Sequence, residues 1–185
     1  MTMVCFGHHR FWVVLPLLLV VGRAAGQQRS DPLTDPEVGQ LRDAAQDADQ
    51  RLALYVTFAR ARLATLEQTR SDPKITDKAQ AIHDRLQDFV DVYDELNDNI
   101  DTFVGRKADL RKALKTIIDA DDEFQAKLRA LKDSARASTE ETKRYEFVLS
   151  DAMEDVDTSV TDHRELLTEQ IAEAKLKKER KQKPQ

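Results

Sequence analysis

Cysteine occurs once in the 185 residues, at Cys5. It stands ahead of an apolar run, on the wrong side for a lipid-bearing cysteine, and cleavage after that run removes it. A chain without thiols forms no disulfide in an oxidising compartment and performs no thiol chemistry. Glycine and proline number five each and aromatics make up 6% of the chain. Few turns and no deep core are therefore expected. Strand-like alternation is missing, as is any tandem repeat long enough for a solenoid. The chain has no G-x-S-x-G, no phosphate-cradling glycine loop and no C-x-x-C-H. Glu-x-x-His is missing too, because Gln80 precedes His83 and Val160 precedes His163 by three. With a narrow seam that encloses little volume, these absences argue against an enzyme. They leave no catalytic, metal-binding or cofactor-binding residue to name.

What is present begins with residues 1–26. "MTMVCFGHHR" holds no acid, "FWVVLPLLLVV" is eleven apolar residues, and "GRAAG" supplies small residues for cleavage. This pattern predicts a secretory signal peptide cut after Gly26, with Ala24 and Gly26 at the two small-residue positions. The apolar run falls short of the roughly 20 residues a spanning helix needs, so no transmembrane span is expected after cleavage. An exported protein follows, periplasmic or extracellular. Cleavage would take away Arg10 and Arg23 and no acid, moving the net charge from −5 to −7.

Beyond a polar leader at 27–34, the chain reads as helix through 35–174. Thr34 with Glu37 makes a capping box, Pro36 suits a first turn, and Leu33 can staple onto Val38. A first helix over about 35–70 carries a three-four stripe at Leu41, Ala45, Ala48, Leu52, Tyr55, Ala59 and Leu66, with Arg62 its one polar member. Pro73 marks a turn, and the next helix is expected from about 74. From Ile75 the stripe runs unbroken to Phe103. Extended further it meets Lys107, Leu110, Leu114, Ile117, Asp121, Phe124, Leu128 and Leu131, six of them apolar. A single glycine inside a helix costs only about 1 kcal/mol relative to alanine. The continuous phase therefore predicts one helix over 74–133, running through Gly105. A third helix is expected over about 138–178, with Ser138 and Glu141 as a second capping box. Its apolar positions from Tyr145 to Ala174, His163 among them, follow an eleven-residue period that fits a nearly straight helix. The expected fold is all-α: three long antiparallel helices in an elongated coiled-coil-like bundle. The alternative is a four-helix bundle with a turn near Gly105.

Charge is unevenly spread. Asp88, Asp91, Asp94, Glu95, Asp98 and Asp101 follow one another with no base between Arg85 and Arg106. They read as a solvated helix face, since calcium loops need a non-helical backbone and a glycine turn. The tail 175–185 holds six bases and one acid. Lys177, Lys178, Arg180, Lys181 and Lys183 are candidates for contact with an anionic envelope surface, each contributing about 1 kcal/mol near such a surface. The plainer reading is that they complement a helix C-terminus. With no aromatic among them, nucleic acid is not an expected partner. In length and composition the chain resembles small exported helical proteins of the bacterial envelope, a likeness that gives no residue a role. The function expected is that of a non-enzymatic interaction or scaffold protein that binds a partner or itself through helix–helix contacts. A periplasmic holdase-like chaperone and a small-ligand-binding bundle are the alternatives.

Overall fold

The computed structural model describes residues 31–135 and 139–182, and the signal sequence expected over 1–26 lies outside them. The described residues are all-helical. In chain order the helices are α1 (Asp35–Asp43), α2 (Ala48–Ser71), α3 (Lys78–Gly105), α4 (Arg111–Ala135), α5 (Thr139–Lys143) and α6 (Glu146–Gln182).

Helix α1 starts where the capping signals place it: Glu37 accepts from the Thr34 amide at 2.8 Å and from its hydroxyl at 2.9 Å. The single helix expected over 35–70 is interrupted, however. Asp47 caps a new helix by accepting from the Gln50 amide at 3.0 Å. Arg62, the polar member of the stripe, explains the interruption. Its guanidinium reaches Glu37 at 2.6 Å and the Pro32 carbonyl at 2.9 Å, so α1 doubles back along α2. The next helix begins at Lys78 rather than 74. Pro73 stays in the loop and Asp77 is the cap, accepting from the Gln80 amide at 3.1 Å.

The helix expected over 74–133 is two helices. Gly105 closes α3, and the reversal that follows is a Schellman turn. The Lys107 amide bonds the Val104 carbonyl at 2.8 Å and the Ala108 amide bonds that of Phe103 at 3.0 Å. The left-handed position of this motif, usually glycine, is Lys107 with φ 59°. Leu110, fully buried, accepts the first helical bond of α4 from the Leu114 amide. Phe103 and Leu110 both plug the core end and stand seven residues apart. The heptad phase therefore survives while the backbone turns around.

Four helices are long. Antiparallel neighbours are α2 with α3, through Arg51 and Asn99, and α4 with α6, through Gln125 and Asp157. Parallel neighbours are α2 with α4, through Arg60–Glu123 and Lys127–Glu67, and α3 with α6, through Asn97–Ser159. The crossover from α3 to α4 thus runs diagonally. Across that diagonal, Phe124 meets the stacked pair Phe89 and Tyr93 edge-on, at 5.4 and 6.0 Å between centroids. Behind α4 the chain forms α5, turns at Arg144 and Tyr145, and enters α6, which holds its helix through the basic segment to Gln182. The proposed cap at Ser138 lies outside the described residues. At about 1.5 Å per residue α6 is some 55 Å long, against roughly 40 Å for its neighbours.

Lys107→Gly should stabilise the protein by about 1 kcal/mol, since glycine adopts positive φ freely. Gly105→Ala should stabilise it by a similar amount, because a Cβ there meets nothing within 4 Å. Urea unfolding checks both. A helix continuous through this segment would instead make Lys107→Gly destabilising by about 1 kcal/mol.

Candidate functional site

Helices α3 and α6 run parallel, bridged where Asn97 meets Ser159, and an open groove follows the seam between them. Three adjoining clefts make it up. The first, about 300 Å³, lies among Asp94, Asp151, Glu154 and Asp155. The second, about 290 Å³, lies over Ile100, Val104, His163 and Leu166. The third, about 740 Å³, opens among Lys107, Arg111, Lys177, Lys178 and Lys181. Asn97 and Ser159 are shared by the first two, Val104 and Leu166 by the last two.

The first cleft is acidic because both walls carry carboxylates at helical spacing. Burial against α6, together with Asp155, Asp91, Asp98 and Asp151, pushes the Asp94 carboxyl up to about 6. Burial, then Asp151 and Glu154, raises Asp155 as well. None of Asp94, Asp151, Glu154 and Asp155 has an ion-pair partner among the described residues. At the boundary with the second cleft the Asn97 amide nitrogen donates to Ser159 Oγ at 3.0 Å, while Asn97 Oδ1 is buried without a partner.

Beneath the second cleft lies a buried polar network. Asp121, fully buried on α4, accepts from the Tyr93 hydroxyl at 2.9 Å and lies 2.8 Å from His163 Nδ1. Burial first, and Asp121 second, drive the Tyr93 phenol far above its ordinary value. Asp121 and His163 are the two polar members of otherwise apolar stripes, and the fold brings them together. No serine, threonine or cysteine oxygen or sulfur is aligned on His163, and no group of three or more potential metal ligands occurs among the described residues.

The third cleft is basic. The crossover loop forms its floor, held by Gln170, whose Oε1 accepts from the Leu110 amide at 2.8 Å and whose Nε2 donates to the Ala108 carbonyl at 3.2 Å. Arg111 grips Asp109 in a bidentate pair at 2.8 and 2.5 Å and holds its carboxyl down at about 2. Of the five cations picked out from the tail, Lys177, Lys178 and Lys181 line this cleft. Arg180 is exposed away from it, and Lys183 lies outside the described residues. Lys107 and Arg111 join them there, which the linear sequence did not indicate. Lys177 reaches Glu173 at 3.3 Å, whereas Lys178 and Lys181 have no ion pair among the described residues. From Ala172 to Gln182 only Ala174 is even half-buried, and Ile171 and Leu176 are 48% and 53% exposed. The eleven-residue stripe therefore leaves the core after Leu167, where α6 outruns the bundle. Among the described residues no helix is long and apolar enough to cross a membrane.

The chain matches no family model, no curated protein and no solved structure.

Two measurements probe the groove. His163→Leu and Asp121→Leu each leave a buried polar group unpaired and should cost about 3 kcal/mol. The double substitution should cost clearly less than the two losses combined; strict additivity in denaturant unfolding would show that the pair is not coupled. Asp94 binds more protons folded than unfolded between its ordinary value near 3.8 and about 6. It therefore takes stability away as pH rises through that window. Asp94→Asn should raise the Tm at pH 7, with the gain vanishing by about pH 4. A gain independent of pH would contradict the carboxylate repulsion.

Proposed function

We propose that the chain is an exported, non-enzymatic helical interaction protein whose working surface is the groove between α3 and α6. In this reading the fold is a four-helix bundle of two antiparallel hairpins, α2–α3 and α4–α6, crossed diagonally at residues 106–110. The observation that carries the reading is the overhang of α6. Among the described residues it holds Lys178 and Lys181 without ion pairs and Leu176 in solvent, in line with a groove whose far end is acidic and equally unpaired. A helix face carrying unpaired charges of opposite sign at its two ends, with Val104 and Leu166 between, is a surface for another helix.

The core itself is filled. Leu86, Phe89, Leu96, Leu114 and Phe124 are at most 1% exposed, and the clefts lie outside it. That favours a helix as the occupant over a small ligand held inside the bundle. A holdase-like chaperone would use the same groove and differs only in the breadth of its clients. Export, with residues 1–26 as the signal, belongs to the same reading and places the protein in the periplasm or outside the cell.

A photo-crosslinking residue at position 166 of the full chain, expressed in its native host, should give discrete adducts, whereas the same residue at exposed position 57 on α2 should not. The chain recovered should lack residues 1–26 and begin at Gln27. A smear of many unrelated adducts would favour the holdase, and equal labelling from 57 and 166 would remove the groove from consideration.

A further inference from the structure

We propose that the occupant of this groove is α6 of a second copy, laid antiparallel across a two-fold axis beside Leu166. The inference rests on the reading of the groove as the working surface and names its partner. Its basis is a symmetry in α6. Asp155 and Lys177 lie 11 residues to either side of Leu166, Glu154 and Lys178 lie 12, and Asp151 and Lys181 lie 15. Eleven residues make three helical turns, so Asp155, Leu166 and Lys177 share one face. One antiparallel register therefore sets all three acids of each copy against all three bases of the other.

The overhang supplies the reach. In this register, residues 172–182 of one copy lie alongside residues 150–160 of its mate. There the parallel α3 adds Asp94 to the acidic wall, with the charge of Asp98 close by. The same segment extends past the bundle in the single chain, which leaves it free to occupy the mate. At the axis the two Leu166 side chains meet, flanked by Val104, which is 37% exposed. Leu176 gains apolar cover that it lacks in one copy. A two-fold contact of this kind uses the same patch on both partners and closes, giving a dimer rather than a filament. Like charges oppose one another in the parallel alternative, acid on acid and base on base, so the charges also set the direction.

The test uses the full chain. Unaltered protein should sediment as a dimer at micromolar concentration in low salt. Its Kd should rise roughly tenfold or more at high salt, because exposed pairs are screened. In a Cys5→Ser background, Leu166→Cys should form a disulfide-linked dimer. Glu154→Cys alone should not, while a mixture of Glu154→Cys and Lys178→Cys chains should. Reversing Lys177, Lys178 and Lys181 to Glu should give a monomer, as should reversing Asp151, Glu154 and Asp155 to Lys. An equimolar mixture of the two triple variants should recover the dimer, and normal circular dichroism for each separates lost pairing from lost folding. A monomer for the unaltered chain at about 100 μM in low salt, or dimers that survive either charge reversal, would overturn the proposal. If the unaltered chain is monomeric while position 166 still captures a different protein, the second copy is excluded and the groove stands. If position 166 captures nothing, the groove falls as well.

Discussion

When the amide of Ala108 turns back to the carbonyl of Phe103 and that of Lys107 to Val104, the long middle segment becomes two helices on opposite corners of the bundle. Gln170 then holds the loop from α6, pairing with an amide and a carbonyl that the reversal leaves without helical partners. Because the crossing is diagonal, α3 acquires α6 as a parallel neighbour. Parallel helices align their dipoles unfavourably, and here both facing flanks carry acids, Asp94 and Asp98 against Asp151 and Asp155. Neither effect is large, and the dipole effect acts on the parallel pair α2 and α4 as well, so the facing carboxylates are what set this seam apart. The groove is thus a consequence of the turn at Lys107 taken together with the distribution of carboxylates.

The helical class, the start of α1 and most of the core positions were legible in the sequence. Leu52, Tyr55, Ala59, Leu86, Phe89, Tyr93, Leu114 and Phe124 all lie on the stripes and are all buried. The reversal was not legible, for a reason particular to its length. Five residues separate α3 from α4, so Phe103 and Leu110 keep heptad spacing across a turn. A periodicity argument sees side-chain phase and is blind to backbone direction. Gly105 pointed to the right region but did not mark the left-handed residue, which is Lys107. The break before α2 was hidden similarly, because what makes it favourable is Arg62, 25 residues from its partner Glu37. Of the candidate site, the tail cations were visible as composition. Their meeting with Lys107 and Arg111 depends on the crossover and was not.

The polar network under the groove explains why the helices pack in one register. A core of leucine, alanine and phenylalanine tolerates sliding by a heptad, since one apolar layer resembles the next. Asp121 and His163 do not slide. Shifting α4 against α6 by one turn would leave a fully buried carboxylate facing apolar side chains, with Tyr93 also deprived of its acceptor. A pair of this kind adds little net stability compared with apolar residues of the same volume, and its effect is felt as a penalty on the alternatives. In this protein it also sets which residues of α6 stand opposite α3, and hence where the first cleft gives way to the cleft over Ile100, Val104 and Leu166.

A segment of about ten residues is too short to be helical by itself in water, yet α6 keeps its helix to Gln182 beyond the last packed layer. The packed part provides the nucleus, so each further residue adds a hydrogen bond without the initiation cost. The cations of the last turns lie at the negative end of the helix dipole, and Glu173 with Lys177 adds a favourable pair four residues apart. The basic residues therefore maintain the helix that carries them. The result is a fixed distance. Asp155 and Lys177 sit 22 residues apart on one face of a continuous helix, which is about 33 Å. Had the tail frayed, the same charges would attract any anionic surface and discriminate poorly among partners. Held in one continuous helix, they present acid and base at a set spacing and in a set order, and any helix laid along them would have to match both at once.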